Sequence, residues 1–468
     1  GATIMAGNAA PGASVNALTW ISGASTPYVK LTVIPVPRLR IGGLYNGTTH
    51  ETVDYTEVDL SAAATGTTSG TGWSYTQATN TLALNGYTGG AIVAEYMGSD
   101  FKITLAGNSV LPDAGKVYDP VSQSCCGILI RYTPLTAISG DGSLQMSTAL
   151  VAIDGSLTIG GSVAMDVGSC VGEGWETDMA YDGIALWTDR DYDRDPIYNS
   201  DFSPTLTVTD TADVTATGFY NGVYINTFQC TTGHLIVERG GKLSGFGGAV
   251  NMGVQVEGDI TVSGGVLIGQ GVLDASYQKN GAFGVYAAGG LTVSGGTVVA
   301  DGYNAGIYTY NPVGQALSSI VISGTGCLIA TGRTIIGGEV TAPAIWPNGE
   351  AAQGHEYDFV THTGIDKVGK YGDATCVIGG YTITSNVTGG TLTPKFTRAG
   401  AGMEITVAVQ PDSGKTLTAN TLKYNDTVIT ADANGVYRFT MPAKAVTLTA
   451  TFEGGTETAT TLTAPQMN

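Results

Sequence analysis

Residues 284–298 read Gly284-Val285-Tyr286-Ala287-Ala288-Gly289-Gly290-Leu291-Thr292-Val293-Ser294-Gly295-Gly296-Thr297-Val298. Two phrases share this stretch. The first is a small residue followed by alternating apolar positions, and the second is Leu-Thr-Val-Ser closed by Gly-Gly. Each alternates with period two, so each is a strand with one buried face. The glycine pair breaks the second phrase where the chain has to turn.

Outward from this stretch the first phrase recurs at Gly127-Ile128-Leu129-Ile130, Ala149-Leu150-Val151-Ala152, Gly183-Ile184-Ala185-Leu186, Gly222-Val223-Tyr224-Ile225, Gly253-Val254-Gln255-Val256 and Gly306-Ile307-Tyr308-Thr309. The second recurs at Leu157-Thr158-Ile159-Gly160-Gly161-Ser162-Val163 and Ile260-Thr261-Val262-Ser263-Gly264-Gly265-Val266. First phrases are spaced by 22, 34, 39, 31, 31 and 22 residues. A constant minimum with a variable excess means fixed coils that carry loops at some corners. One strand pair cannot bury its own apolar face, whereas stacked copies can. The chain therefore reads as all-β: a right-handed parallel β-helix (solenoid) followed by a small β-sandwich-like domain. A left-handed hexapeptide helix would keep its period, and a propeller would need longer, four-stranded blades. Cys327 aligns with Val298 of the second phrase, an inward position that predicts a buried thiol.

The domain plan follows the phrases. Residues 1–30 read as an N-terminal extension or cap, 31–345 as the β-helix with insertions, and 346–380 as a connector holding His355 and His362. Residues 381–454 read as a small β-sandwich module and 455–468 as a Thr-rich tail. Trp73-Ser74-Tyr75, Thr81 to Tyr87, Ala91 to Tyr96 and Phe101 to Leu105 supply the first coils and a cap, because a solenoid end otherwise exposes unpaired edges. In the module, strands are expected at Glu404 to Val409, Thr416 to Leu422, Val428 to Thr430, Tyr437 to Met441 and Val446 to Phe452. Asn425-Asp426 and Asn434-Gly435 provide its hairpin turns.

Composition agrees. Glycine is 69 of 468 residues and charged residues are only 13%, yet 43% are hydrophobic, which suits short strands and tight turns rather than disorder. A net charge of −19 opposes nucleic acid and anionic membrane surfaces as partners, and suits an extracellular setting and cation binding. No stretch reads as a membrane-inserting helix, since Gly281 to Ala300 is broken by Gly, Thr and Ser. Gly1-Ala2-Thr3 opens the sequence without a basic-then-apolar leader, which reads as a trimmed start and leaves the compartment open. The tail shows no anchor motif. Cys125, Cys126, Cys170, Cys230, Cys327 and Cys376 form no C-x-x-C pair, so a zinc cluster is not supported and buried core thiols are expected over disulfides.

Two resemblances rest on these residues. Trp73 with Thr81-Leu82-Ala83-Leu84-Asn85-Gly86-Tyr87, followed by the Gly-Ile/Val-Tyr and Leu-Thr-Val-Ser-Gly-Gly-Thr-Val phrases, resembles the β-helical, carbohydrate-binding-domain-containing surface proteins of gut Gram-positive bacteria. It covers residues 70 to 335. The stretch Thr406 to Phe452, with Tyr437-Arg438-Phe439-Thr440-Met441-Pro442-Ala443, resembles divergent internalin-B-type repeats. Such repeats serve as spacers in cell-surface proteins, so the second resemblance implies a secreted or wall-associated, Gram-positive-type setting. It transfers no catalytic residue.

The sharpest chemical feature is an outward ladder. With Val223, Val285 and Ile307 turned inward, Tyr224, Tyr286 and Tyr308 point outward. The next outward positions hold Arg131, Trp187, Asn226, Glu257 and Tyr310. Coils about 4.8 Å apart space these side chains close to the rise of an extended glycan. Flat aromatics with amide and acid neighbours suit sugar rings and their hydroxyls. The plainer alternative is an aromatic row packed on itself or under a loop.

A second feature lies between Cys170 and Asp201, where Glu173, Glu176, Asp178, Asp182, Asp189, Asp191, Asp193 and Asp195 interleave with Trp175, Tyr181, Trp187, Tyr192 and Tyr198. Asp189, Asp191, Asp193 and Asp195 start like a calcium loop, because hard oxygens at alternate positions converge on one ion. Arg194 stands where an EF-hand needs its turn glycine, and Ser200 where it needs the bidentate Glu. The plain alternative is a solvated loop neutralised by Arg190 and Arg194. Calcium is the only cofactor the sequence suggests.

Enzyme signals are weaker. Asp154, Asp182, Glu257 and Arg131 lie near the candidate face, but match no lyase or hydrolase motif. Gly414-Lys415-Thr416 ends like a phosphate loop, yet Val409 replaces its first glycine and the segment lies between strands. The leading expectation is a non-catalytic, adhesin-like surface protein that binds polysaccharide or a host surface glycan. A polysaccharide lyase or glycoside hydrolase comes next, and a purely structural stalk third.

Overall fold

The structure is a computed structural model that describes residues 14–21, 28–34, 36–46, 51–61, 66–119, 124–169, 182–188, 202–227, 232–248, 252–272, 282–309, 319–333, 335–336, 339–340, 342–347, 360–361, 365–368, 370 and 373–454. Among them there is no α-helix, only a 3-10 turn at Gln77–Thr79.

Each coil contributes one strand to each of three sheets. In one coil Val254–Val256 joins sheet I, Gly258–Val262 joins sheet II and Val266–Gly271 joins sheet III. Sheet I climbs in parallel steps from Ala91–Glu95 to Ile345–Pro347, and sheet II from Thr81–Asn85 to Val360–Thr361. Sheet III climbs from Asn108–Leu111 to Cys327–Gly332. The first phrase is thus the sheet I strand, and the second spans sheet II, a glycine turn and the start of sheet III.

Register stacks like on like. Ile128, Leu150, Ile184, Val223, Val254, Val285, Ile307 and Ile345 pair in succession along sheet I, all fully buried. They share one core with the inward rows of sheets II and III, such as Leu206–Leu235–Ile260–Leu291–Ile320 and Val214–Leu243–Leu267–Val298–Leu328. Burying each such side chain is worth about 1.5–3 kcal/mol.

Glycine decides how closely the sheets meet. A Cβ at Gly253, just before a sheet I strand, or at Gly284 or Gly306, second in theirs, would collide with the backbone nitrogen of Gln270, Asp301 or Thr331 in sheet III. At the turn between sheets II and III, a Cβ at Gly265 or Gly296 would collide with the carbonyl of Gly241 or Gly265 in the coil below.

The extra residues between phrases have a fixed address. Connections from sheet II to sheet III are one to four residues long in every coil, whereas those entering or leaving sheet I reach 17 residues, as at 188–204. The long insertions therefore all flank sheet I.

Antiparallel strands cap sheets I and II at the first coils and sheet III at the last. Arg38–Asn46 pairs with Ala91–Glu95, and Thr67–Gly70 and Trp73–Thr76 add to Thr81–Asn85, so parallel coiling starts later than residue 31. At the other end Ile345–Pro347 and Val360–Thr361 still add parallel rungs, so the segment expected as a connector takes part in the coils. Thr375–Gly379 then closes sheet III antiparallel to Cys327–Gly332.

The C-terminal module folds into five-, three- and two-stranded sheets. Its longest strand is Glu404–Pro411, and Lys423–Tyr424 turns back on Thr427–Val428 through Asn425, in the left-handed region at φ 50°. The module sits directly on the solenoid. Along sheet III the outward row Asp166–Thr215–Ser244–Ile268–Val299–Ile329 turns from polar to apolar as it approaches the module. Cys327 and Ile329 share a second core with Ile383, Met403, Ile405, Phe439 and Leu448. Cys327 stands opposite Thr297, with Leu328 opposite Val298, so its alignment from sequence is one residue out. The thiol is buried as expected, but on the outward side and beneath the module, where burial pushes its pKa up to about 12. Arg398 fastens the junction by donating from Nε to the Gly379 carbonyl and from Nη2 to that of Gly380, both at 2.9 Å.

Leu291→Ala should destabilise the protein by about 2–5 kcal/mol in urea melts. Thr292→Ala, one residue on but outward, should stay within about 0.5 kcal/mol. Equal losses at both sites would contradict the inward–outward assignment. Peptide mapping after alkylation at pH 8 should find Cys327 unmodified in the native protein and modified in denaturant; rapid native modification would contradict its cover by the module.

Candidate functional site

Sheet I carries two outward rows. In the first, Val93, Leu129, Val151, Ala185, Tyr224, Gln255, Tyr286, Tyr308 and Trp346 occupy successive rungs. The aliphatic half is buried under a local cluster that includes Val117 and Cys126, with Tyr55 packed against it. From Tyr224 onward the row is half-exposed. Tyr224, Tyr286 and Tyr308 thus stand on the outer face, and the sequence reading passed over Gln255 and Trp346 beside them. Both were visible there: Gln255 holds the tyrosine position of its phrase, and Ile345-Trp346-Pro347 repeats Ile307-Tyr308-Thr309.

The rings pack on one another. Tyr286 and Tyr308 lie 5.6 Å apart at 27°, and Phe283 stacks on Tyr308 at 4.3 Å and 6°. Trp346 meets Tyr308 and Phe283 edge-on at 5.9 and 6.0 Å. A ring whose face is covered by its neighbour offers a ligand its edge and hydroxyl. The wall is therefore a band of aromatic edges and phenols, not a set of open stacking platforms.

The second outward row holds Glu95, Arg131, Ile153, Trp187 and Asn226, with Glu257 at the next corner. Trp187 is only 8% exposed and meets Tyr224 edge-on at 5.2 Å. Asn226 is buried and donates from Nδ2 to the Tyr224 hydroxyl at 2.7 Å, and Glu257 Oε2 accepts the Thr227 N–H at 3.4 Å. Both Trp187 and Asn226 thus support Tyr224 from beneath instead of facing solvent. Arg131 is ion-paired to Glu95 at 3.5 Å, which also pairs with Arg40 at 3.3 Å. It lies four rungs from Glu257, about 19 Å at strand spacing, so the structure does not bring these two together. Tyr310 and the candidate calcium ligands Asp189, Asp191, Asp193 and Asp195 lie outside the described residues. Among the described residues, no group of three or more His, Cys, Asp or Glu is placed to hold a metal ion.

Asp182 underlies the wall. It is 4% exposed, and its Oδ1 accepts from both the backbone N–H and the Nδ2 of Asn221, each at 3.0 Å. Asn221 in turn accepts the Met252 N–H at 3.2 Å, forming a polar stack at the corner into sheet I. Burial raises the Asp182 pKa to about 7 against these hydrogen bonds. Burial also raises that of Tyr224, with Glu257, Asp182 and Tyr286 adding to the shift.

Fold and site together define an all-β chain whose parallel strands stack in three long sheets, consistent with a β-helix-like solenoid, with one aromatic outer face and a second all-β module joined to it. Residues 381–456 of that module match the family model described as the divergent InlB B-repeat domain. No curated protein and no solved structure matches the chain. Among the described residues no helix is long and apolar enough to cross a membrane.

Asp182 gives a pH signature. The folded chain holds its proton up to about pH 7, whereas an unfolded aspartate releases it near pH 3.9. The stability it confers is full below about pH 4 and is lost as pH rises through about 7. Asp182→Asn, which can accept the same hydrogen bonds, should flatten the fall in urea midpoint between pH 5 and 8. A fall of unchanged size in the variant would exclude Asp182 as its cause.

Proposed function

We propose that the outer face of sheet I is a carbohydrate-binding wall of an extracellular, cell-surface-associated adhesin-like protein that is not catalytic. The observation that carries this is the coincidence of two features on one face. Tyr224, Gln255, Tyr286, Tyr308 and Trp346 form an outward row at successive rungs, and every long loop between the coils' strands enters or leaves that sheet. Loops on a rigid scaffold are where binding residues concentrate. Phenol hydroxyls and the Gln255 amide at about 4.8 Å intervals meet the repeating hydroxyls of an extended polysaccharide, and the aromatic edges meet its C–H faces. The internalin-type repeat match supports a surface setting of Gram-positive type. The coils are taken as right-handed, the sense that strand twist favours for parallel connections, in keeping with the resemblance to gut bacterial surface proteins.

Glycan-array binding should fall about tenfold or more in Tyr286→Ala/Tyr308→Ala, and also in Tyr286→Phe with Gln255→Ala, which leaves the ring packing in place. Binding that survives both variants would place the ligand elsewhere. Release of new reducing ends or unsaturated products from an acidic polysaccharide would replace the adhesin with an enzyme.

A further inference from the structure

Sheet II carries a cleft that the wall on sheet I does not share. It has a volume of about 380 Å³ and is lined by His234, Ile236, Asp259, Thr261, Thr292 and Ser319, with Leu235 and Gly290 completing it. Its origin lies in the register. One outward row runs Thr205, His234, Asp259, Gly290, Ser319, and the next runs Thr207, Ile236, Thr261, Thr292, Val321. Where the first row reaches Gly290 it has no side chain, and this leaves a notch between the walls of His234 and Asp259 on one side and Ser319 on the other. His234 to Ser319 spans three rungs, about 14 Å.

The chemistry of the lining is selective. Asp259 Oδ1 is fixed by the Gly290 N–H at 2.8 Å, and its Oδ2 lies 3.7 Å from His234 Nδ1. The carboxylate is thereby oriented while over half of the side chain stays open to solvent. Thr261, Thr292 and Ser319 add hydroxyls that both donate and accept. Ile236 adds one apolar surface. A carboxylate in the wall disfavours an anion. Two candidate donors, His234 and Asp259, are too few for a metal site, and no group of three is present among the described residues. What remains is a small neutral molecule with closely spaced hydroxyls on one side and C–H groups on the other. The volume is at the small end for ligand sites, which begin at about 300 Å³.

We propose that this cleft is a second binding site, separate from the wall, that takes one or two units of a neutral hexose-type saccharide. The Asp259 carboxylate accepts a pair of neighbouring hydroxyls, His234 and the threonines complete the hydrogen bonds, and the C–H face rests on Ile236. The half-open shape admits a chain end or a branch more readily than the middle of a long polymer.

The test is saturation-transfer NMR and calorimetry on the full chain, with glucose, galactose, mannose, N-acetylglucosamine and their β-linked dimers as probes. At least one probe should bind saturably in the millimolar range or better. Asp259→Asn, which can still accept the Gly290 N–H, and Thr261→Val, which keeps the shape, should each weaken it fivefold or more. Tyr286→Ala/Tyr308→Ala should leave it unchanged. Absence of saturable binding by every probe overturns the proposal, as does binding that Asp259→Asn and Thr261→Val leave intact. Binding lost only in the tyrosine variant belongs to sheet I and also overturns it. Retained cleft binding with a silent glycan array would remove the wall and keep this site.

Discussion

Between sheets I and III the backbones pass with no side chain between them. Gly253, Gly284 and Gly306 lie against the chain of the sheet III strands, and a single methyl at any of them would collide with a main-chain nitrogen. This contact limits how wide a coil can be. The interior then has room for a few aliphatic side chains per rung, and the inward rows of Val, Ile and Leu fill it. Because the coil cannot widen, an added residue cannot be absorbed into a strand without shifting its register and turning apolar side chains outward. It can only be looped out at a corner. The glycine contacts thus explain both the constancy of the strands and the concentration of extra length at the borders of sheet I.

Identical coils leave three different outer surfaces. Sheet I changes along its length from covered aliphatic residues to a half-exposed aromatic band. Sheet II stays mostly threonine and serine, broken by His234, Ile236 and Asp259. Sheet III passes through Gln145, Asp166 and Thr215 in its early coils and ends with Val299 and Ile329, where the second module covers it. Inward positions are all held to one demand, dryness and size, so they repeat. Outward positions answer to whatever lies against them, so they drift.

That distinction decides what could be read in advance. Inward rows were legible, since phrases such as Val285 and Ile307 align without ambiguity, and the outward direction of Tyr286 and Tyr308 followed from the pleat. Coverage was not legible. Nothing in Trp187 announces that it packs edge-on against Tyr224, because burial on an outer face depends on chain far away in sequence. Ring packing was hidden for the same reason, as Phe283 reaches Tyr308 across a rung. Cys327 was placed one residue out because Gly326-Cys327 carries no second glycine to fix the frame. Docking of the module left a trace in the valines and isoleucines at outward positions of sheet III, but those residues also satisfy strand propensity, so the trace had no distinct sign. The cleft on sheet II arises from a missing side chain at Gly290, a feature that a search for chemical groups passes over.

The antiparallel strands that close the stack also restrict how such a molecule can grow. A foreign parallel strand finds no matching edge where Arg38–Asn46 covers the first rung of sheet I or Thr375–Gly379 the last of sheet III. Fibril-like addition of copies at these two edges is therefore blocked. Duplication of one coil, by contrast, would insert a whole rung and extend every face by the same increment of about 4.8 Å. Reach in this architecture is thus inherited in discrete steps, and two descendants differing by one coil would present arrays differing by a single repeat unit.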